Sequence, residues 1–253
     1  VRQADLRLGE TCAVIGLGLL GQLACLLLKA SGVRVVGVDV NPAAVATAKS
    51  HSADLALLRD VPGIEEKILT FTWGIGCDAV IITAASDSLD PINFAGAIAR
   101  KRGTLVVVGA VPTGFDREPY FYKKELTVRM SCSYGPGRYD PEYEEKGRDY
   151  PVGYVRWTEK RNMEAFQALI AEGKIDLSFI TTHVFKLEDA SKAYDLILGK
   201  AEPFLGILIE YDREKLHDSR LSRIDLKTAG YEPGRKVEIC FIGAGSYAQS
   251  HLL

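Results

Sequence analysis

Cys12-Ala-Val-Ile-Gly-Leu-Gly-Leu-Leu-Gly21 is the stretch that decides the fold. An apolar strand pattern runs into it, an apolar helix pattern runs out of it, and Asp39 follows at the end of the next strand pattern. Glycines at Gly16, Gly18 and Gly21 allow a backbone turn so tight that a pyrophosphate can lie directly against it. The following helix points its unpaired N–H groups and its positive dipole end at the same place. The sequence therefore predicts a dinucleotide-binding turn.

The acidic residue indicates which dinucleotide is bound. A carboxylate at Asp39 can accept both ribose hydroxyls of the adenosine half and repels a 2′-phosphate, which favours NAD over NADP. The alternative is a tight turn without a ligand, in which Asp39 only precedes the helix opened by Asn41-Pro42. S-adenosylmethionine-dependent methyltransferases also combine a glycine turn with an acid, but they usually carry a further acid two residues before the first glycine. This chain has Val14 there, so we favour the dinucleotide interpretation.

Strand and helix patterns alternate through the first half of the chain. Strands are predicted at Thr11–Ile15, Arg34–Val38, Asp54–Leu58, Asp78–Thr83 and Gly103–Gly109, with helices at Leu19–Ala30, Pro42–Lys49, Ile64–Phe71 and Asp90–Arg100. A sixth strand, at the sheet edge, is predicted at Leu126–Ser133. Units of this length predict an α/β fold, a doubly wound and mostly parallel Rossmann sheet of about six strands.

Ligands of such sheets lie outside the carboxyl ends of the strands. Small residues follow two of the buried strands, and their free backbone groups could bind a nicotinamide riboside, although tight packing is the alternative at each position. The predicted cofactor-binding residues are Gly16, Gly18, Leu19, Leu20, Gly21, Asp39, Val40, Asn41, Thr83, Ala84, Gly109, Ala110 and Val111. We predict neither catalytic nor metal-binding residues in this chain.

Composition excludes several classes of function. The 253 residues carry a net charge of −2, with no basic cluster that would indicate a nucleic acid or an anionic membrane as partner. Apolar runs are too short to span a bilayer, and no signal segment opens the chain. The cysteines, which lack metal-ligand spacing and are odd in number, indicate reduced core or strand residues and a cytoplasmic protein: Cys12, Cys25, Cys77, Cys132 and Cys240.

The second half of the chain has a different texture. Residues 134–154 form a loop rich in Gly, Pro and Tyr, either a lid for a sugar-like ligand or a packed surface loop. A helix at Thr158–Glu172 and further elements up to Tyr211 follow. We predict a dinucleotide-binding domain at 1–150, a helix and returning segment at 151–211, a linker at 212–235 and a truncated second Rossmann domain at 236–253, which begins at the glycine turn Gly243-Ala-Gly-Ser-Tyr-Ala248.

Three segments together resemble the cofactor domain of zinc-type medium-chain alcohol dehydrogenases. They are Leu8–Gln22, Val36–Asn41 and Val106–Val111, and the later runs Tyr120–Arg129 and His183–Tyr194 are similar to the same family, so that the resemblance covers about residues 5–211. It implies an NAD-dependent dehydrogenase for a small alcohol or sugar-type substrate. It also implies that residues 151–211 are a small remnant of the catalytic barrel domain and that the strand near Leu126–Ser133 pairs in a homodimer.

The run Ser133–Asp140, with Val155-Arg-Trp157, is similar to a subgroup in which such a dehydrogenase is fused to an oxidoreductase of the Gfo/Idh/MocA type. That resemblance implies a fragment of a bidomain protein, with the domain that supplies zinc absent from this chain. NAD-using relatives often carry Lys or Arg about five positions after the acid, where this chain has Ala44. Competing hypotheses are a non-catalytic nucleotide-sensing or scaffolding module, and a vestigial dehydrogenase half whose fused partner carries the chemistry.

Overall fold

A parallel six-stranded sheet forms the centre of the molecule. The computed structural model describes residues 1–199 and 202–212, of which Val1–Tyr211 form one compact unit. The strands are β1 (Thr11–Ile15), β2 (Arg34–Asp39), β3 (Leu55–Leu58), β4 (Cys77–Ile82), β5 (Ala99–Val107) and β6 (Thr127–Met130). Their order is β3-β2-β1-β4-β5-β6, and every neighbouring pair is parallel. The predicted α/β Rossmann class is confirmed.

Helices cover both faces of this sheet. They are α1 (Leu19–Ala30), α2 (Pro42–His51), α3 (Ile64–Phe71) and α4 (Asp90–Ile98), each connecting two strands. On one face Leu28 and Cys25 of α1 pack with Val14 and Ile81; on the other Ile68 and Ile92 pack with Val80 and Ile82. β1 and β4 are apolar along nearly their whole length because both of their faces are buried in these clusters.

The strand order reverses between β1 and β4, which opens a crevice at their carboxyl ends. The register aligns those ends: Ile15 lies opposite Val38 and Ile82, Ile82 opposite Val107, and Val107 opposite Met130. Segments that follow β1, β2, β4, β5 and β6 therefore all emerge at one edge of the sheet.

The boundary between α4 and β5 differs from the sequence prediction. α4 ends at Ile98, and the extended backbone begins at Ala99 instead of Gly103. The ammonium of Lys124 donates to the carbonyls of Gly96, Ala97 and Ala99 at 3.0, 2.7 and 2.8 Å, which satisfies the helix end. A charge placed 25 residues or more away in sequence thus ends the helix, and no local residue signals this.

Residues 134–154 contain a helix, which corrects their description as a loop. α5 (Pro141–Glu144) begins with Pro141 after Asp140, whose carboxylate accepts from the Glu142 amide at 3.0 Å. The next elements are α6 (Glu159–Ala171), β7 (Thr181–Lys186), α7 (Ala190–Gly199) and β8 (Gly206–Glu210), with β7 and β8 paired as a separate parallel two-stranded sheet.

Two sequence predictions fall on residues that the structure does not describe. Most of the linker at 212–235 and the second glycine turn beginning at Gly243 lie outside the described ranges. In the part of the chain that is described, no helix has the length and hydropathy needed to cross a membrane.

Candidate functional site

The glycine turn after β1 is built by close backbone contacts. Gly16 has φ +96°, and a Cβ there would lie 2.5 Å from the amide nitrogen of Ala84. A Cβ on Gly21 would lie 1.9 Å from the carbonyl oxygen of Gly16. Both glycines are therefore required by the packing of the turn against β4 and α1. A Cβ on Gly18 would meet nothing within 4 Å, so this glycine faces open space.

The open space lies at the N-terminus of α1. Gly18 is the N-cap of this helix, and in the described chain no side chain caps it. The first amides of a helix have no intrahelical acceptor, so those of Gly18, Leu19, Leu20 and Gly21 remain available to a ligand. Together with the positive end of the helix dipole, they form an anion-binding position next to a glycine that leaves room for the anion.

Asp39 faces this turn from the end of β2. One carboxylate oxygen accepts from the Leu17 amide at 2.5 Å, and the other accepts from the Asn41 amide at 2.8 Å. Each oxygen retains a lone pair for a further donor. Asn41 caps α2, since its side chain accepts from the Ala43 amide at 2.9 Å, whereas the Val40 side chain is 79% exposed beside the acid.

Two further strand ends complete the edge. The Thr83 hydroxyl donates to the Gly16 carbonyl at 2.6 Å, which ties the end of β4 to the turn. A Cβ on Gly109 would lie 2.0 Å from the Ala84 carbonyl oxygen, so the segments after β4 and β5 touch through backbone atoms. Ala110 accepts from the Ser86 amide at 3.0 Å, and the Val111 amide donates to Gly109 at 3.1 Å.

The predicted residues therefore lie along one edge of the sheet, but sequence reasoning missed two contributors. Leu17, between the first two glycines, supplies the amide that orients Asp39. Ser131 donates its amide to the Val107 carbonyl at 2.9 Å, which puts residues 131–133 beside the segment after β5. The carboxyl-end rule that selected Gly109 would not have found Ser131, because the sequence predicts a sixth strand that continues to Ser133, whereas β6 ends at Met130.

The ionisable groups of this region give no metal site. Among the described residues, no group of three His, Cys, Asp or Glu side chains could hold a metal ion. His183 contacts Glu202 and Thr182 at 3.2 and 2.9 Å, and the ring of His51 stacks on Phe179.

The four cysteines of the described residues form no disulfide with one another, and they differ in exposure. Cys12, Cys25 and Cys77 are buried, and burial raises the pKa of the Cys25 and Cys77 thiols to about 12. Cys132 is exposed, which corrects its assignment to a core or strand position. It lies beside a cavity of about 530 Å³ whose lining includes Arg2, Tyr134 and Trp157, away from the glycine turn.

The sequence of this chain matches a known protein family. Residues 20–146, about half of the chain, match the family model described as zinc-binding dehydrogenase. This chain belongs to the zinc-binding dehydrogenases. More specifically, it carries the nucleotide-binding part of the medium-chain alcohol dehydrogenase family, which uses NAD(P) and zinc.

Individual relatives of this dehydrogenase chain differ in what they act on. It is 31% identical over 205 residues to the NADP-dependent isopropanol dehydrogenase of Thermoanaerobacter brockii, covering 80% of this chain and 52% of that one. It is 29% identical over 204 residues to D-guloside 3-dehydrogenase of Escherichia coli K12, covering 77% and 52%. The chain thus spans about half the length of the curated relatives that it matches.

Among solved structures, zinc-dependent alcohol dehydrogenase 2 from Streptococcus pneumonia superimposes with a TM-score of 0.64 at 22% identity. The alignment covers 85% of this chain and 55% of that one. At this identity the similarity establishes the fold only.

Proposed function

We propose that this chain is the NAD(H)-binding part of an alcohol or polyol dehydrogenase acting on a small alcohol or sugar-type substrate. The observation that carries the proposal is the carboxylate of Asp39, held toward the glycine turn by the Leu17 amide at 2.5 Å. An acid in that position accepts the 2′- and 3′-hydroxyls of an adenosine ribose and repels a 2′-phosphate. We therefore propose that this chain differs in nucleotide preference from its relative named as an NADP-dependent isopropanol dehydrogenase.

The described residues fit a dinucleotide. The pyrophosphate would lie against Gly18, where a side chain would otherwise project, and accept from the amides that begin α1. Asp39 would hold the adenosine ribose, with Val40 beside it. Thr83, Ala84 and the segment Gly109–Val111 would bound the nicotinamide half at the ends of β4 and β5.

When bound, the nicotinamide ring supplies or accepts the hydride. Thr83, Ala84 and the segment Gly109–Val111 would bind and orient the ring, and the Thr83 hydroxyl donates its proton to the Gly16 carbonyl, which leaves it a positioning role. We propose that the substrate pocket and any zinc ligands of the whole enzyme belong to chain outside the described residues. The chain alone would bind cofactor and catalyse little.

Two finer proposals concern the whole protein. The glycine-rich run Gly243-Ala-Gly-Ser-Tyr-Ala248, outside the described residues, would belong to a fused partner domain of the Gfo/Idh/MocA type. A homodimer would form through β6, which in the described part has a strand neighbour only on its β5 side. An edge strand carrying a Met130 side chain that is 65% exposed is stabilised by pairing with a second copy.

Calorimetric titration of the 253-residue chain with NADH and NADPH tests the proposed function. We expect saturable binding with NADH preferred, and Asp39→Ser should weaken NADH by on the order of tenfold or more because hydrogen bonds to a charged acceptor are lost. The affinity for NADPH should fall less than the affinity for NADH, so the ratio between the two affinities should become smaller. Asp195→Ser, the same change on the exposed side of α7, should alter neither. No saturable binding of either nucleotide at millimolar concentration would refute the proposal.

A further inference from the structure

Gln22 is a fully buried polar residue on the face of α1 that packs against the sheet and α2. Its neighbours on that face, such as Cys25 and Leu28, are apolar or weakly polar. An amide without partners in such a place costs several kcal/mol by transfer estimates, about 2–7. The buried amide of Gln22 is therefore tolerated only if hydrogen bonds compensate for its loss of water.

The Gln22 side chain makes three such hydrogen bonds. Its Nε2 donates to the carbonyl of Leu17 at 3.0 Å and to the carbonyl of Ala44 at 3.3 Å. Its Oε1 accepts from the hydroxyl of Ser52, which is itself fully buried. Both amide hydrogens and the amide oxygen are therefore used, so the side chain has one orientation.

These bonds join the two halves of the proposed cofactor site. Leu17 lies in the glycine turn, and its amide is the donor that orients Asp39. Ala44 lies in the first turn of α2, the helix that begins directly after Asp39 and Asn41. Gln22 thus bonds the Leu17 carbonyl in the turn and the Ala44 carbonyl in α2. The Leu17 amide that donates to Asp39 belongs to the preceding peptide, so the two hydrogen bonds meet at the single residue Leu17.

We propose that Gln22 is a positioning residue for the dinucleotide: it holds Leu17 by its carbonyl, while the amide of the same residue orients Asp39, so that the pyrophosphate amides and the carboxylate face the ligand together. This inference rests on the proposed function. Gln22 touches no ligand in this arrangement, since its amide is buried and fully bonded within the protein. Its effect on binding passes through Leu17.

Ala44 shows how the first turn of α2 is held in place. Ala44 presents no side chain that could hold the ribose, but its carbonyl is one of the two acceptors of Gln22. The first turn of α2 is therefore held from inside the protein rather than by a cation reaching over the ribose. Because buried hydrogen bonds fix the position of Asp39, the affinity for the ribose depends more on the rigidity of the site than on the number of contacts to the ligand.

Gln22→Met, of similar length but without polar atoms, tests the proposal in the full 253-residue chain. Thr72→Val is the matched control: Thr72 is 2% exposed, its hydroxyl accepts from the Gly76 amide at 3.0 Å, and it lies after α3, ahead of β4. Both variants lose buried hydrogen bonds and should melt at lower temperature. Only Gln22→Met should raise the dissociation constants of NADH and ADP-ribose, by a common factor of about three- to tenfold, the net value of one or two hydrogen bonds.

ADP-ribose lacks the nicotinamide ring, so an equal loss for both ligands assigns the effect to the adenosine and pyrophosphate end. Hydrogen exchange of the Leu17 amide in the ligand-free chain provides a second measurement. Gln22→Met should reduce its protection, while Thr72→Val should not. If Gln22→Met fails to fold, Ser52→Ala, which removes only the donor to Oε1, should show the same pattern at smaller size.

A Gln22→Met chain that binds NADH within about twofold of the unsubstituted chain overturns the inference and leaves the proposed function standing. The inference is also overturned if Thr72→Val weakens binding equally, because the effect would then reflect general loss of stability. Failure of the unsubstituted chain to bind either nucleotide would overturn the proposed function, and this inference with it.

Discussion

Alanine substitutions at Gly21 and Gly18 should have opposite consequences, because the two glycines leave room for different things. At Gly21 the added methyl carbon would lie 1.9 Å from the Gly16 carbonyl oxygen and 3.1 Å from the Thr83 hydroxyl, where ordinary contact begins at 3.4 Å. The first atom is backbone of the turn and cannot rotate away. The start of α1 must move off the turn instead.

The size of the effect follows from this overlap. Overpacking typically costs about 1–3 kcal/mol, and a backbone obstruction this close belongs at the upper end, about 3 kcal/mol. For a unit of roughly 200 residues, that corresponds to a melting temperature lowered by about 6–12 °C. Gly18→Ala adds a methyl group to open space at φ −67°, so its melting temperature should stay within about 2 °C of the unsubstituted chain.

For Gly18→Ala, the loss should appear in NADH binding and not in the melting temperature. The methyl group of Gly18→Ala occupies the space proposed for the pyrophosphate, so the dissociation constant for NADH should rise at least about tenfold in a protein that is as stable as before. Thermal denaturation followed by circular dichroism gives the first quantity, and calorimetric titration gives the second. The reasoning is refuted if Gly21→Ala melts within about 2 °C of the unsubstituted chain, or if Gly18→Ala binds NADH unchanged.

Three further predictions concern stability and assembly. Lys124→Met should destabilise the fold by about 2–3 kcal/mol in urea denaturation, because three carbonyls at the end of α4 lose a charged donor, whereas Lys123→Met at an exposed neighbour should not. Burial raises the pKa of Cys77 to about 12, so below pH 9 its thiol is protonated in the folded and the unfolded chain and does not affect the free energy of unfolding. Above pH 9 the thiol ionises only in the unfolded chain, so the free energy of unfolding should fall by up to about 1.4 kcal/mol per pH unit. Cys77→Ala should reduce this loss. Met130→Lys should convert a dimer to monomer in light scattering without lowering the melting temperature, and an unchanged mass would refute the β6 interface.

The sequence predicted the elements around the glycine turn well because their limits are set locally. α1 has the predicted bounds Leu19–Ala30, with Gly18 before it and Ser31-Gly32 after it, and α3 has the predicted bounds Ile64–Phe71. The predicted position of Asp39 follows from the same logic, since it ends a strand whose apolar run is visible in the sequence.

Long-range contacts set the missed end of α4, whereas the missed α5 depends on local contacts and on a helix start at Asp140-Pro141 that the sequence does carry. The end of α4 depends on Lys124, and α5 is held by a carboxylate cap at Asp140 and by ion pairs such as Arg138 with Glu144 at 2.5 Å. Nothing in the spacing of the residues specifies which amide Asp39 would accept from, or that Gln22 would reach both Leu17 and Ala44. The contacts of Leu17 with Asp39 and of Gln22 with Ala44 each join residues 22 apart, and they exist only after β1 and β2 have paired.

The parallel register of the sheet has a consequence for biosynthesis. The proposed cofactor residues stand at 16–21, 39–41, 83–84 and 109–111, and they meet only when β1, β2, β4 and β5 have aligned. A nascent chain that has not yet emerged past residue 111 lacks part of this edge. Nucleotide in the cell would therefore stabilise the completed sheet and give little help to earlier folding intermediates.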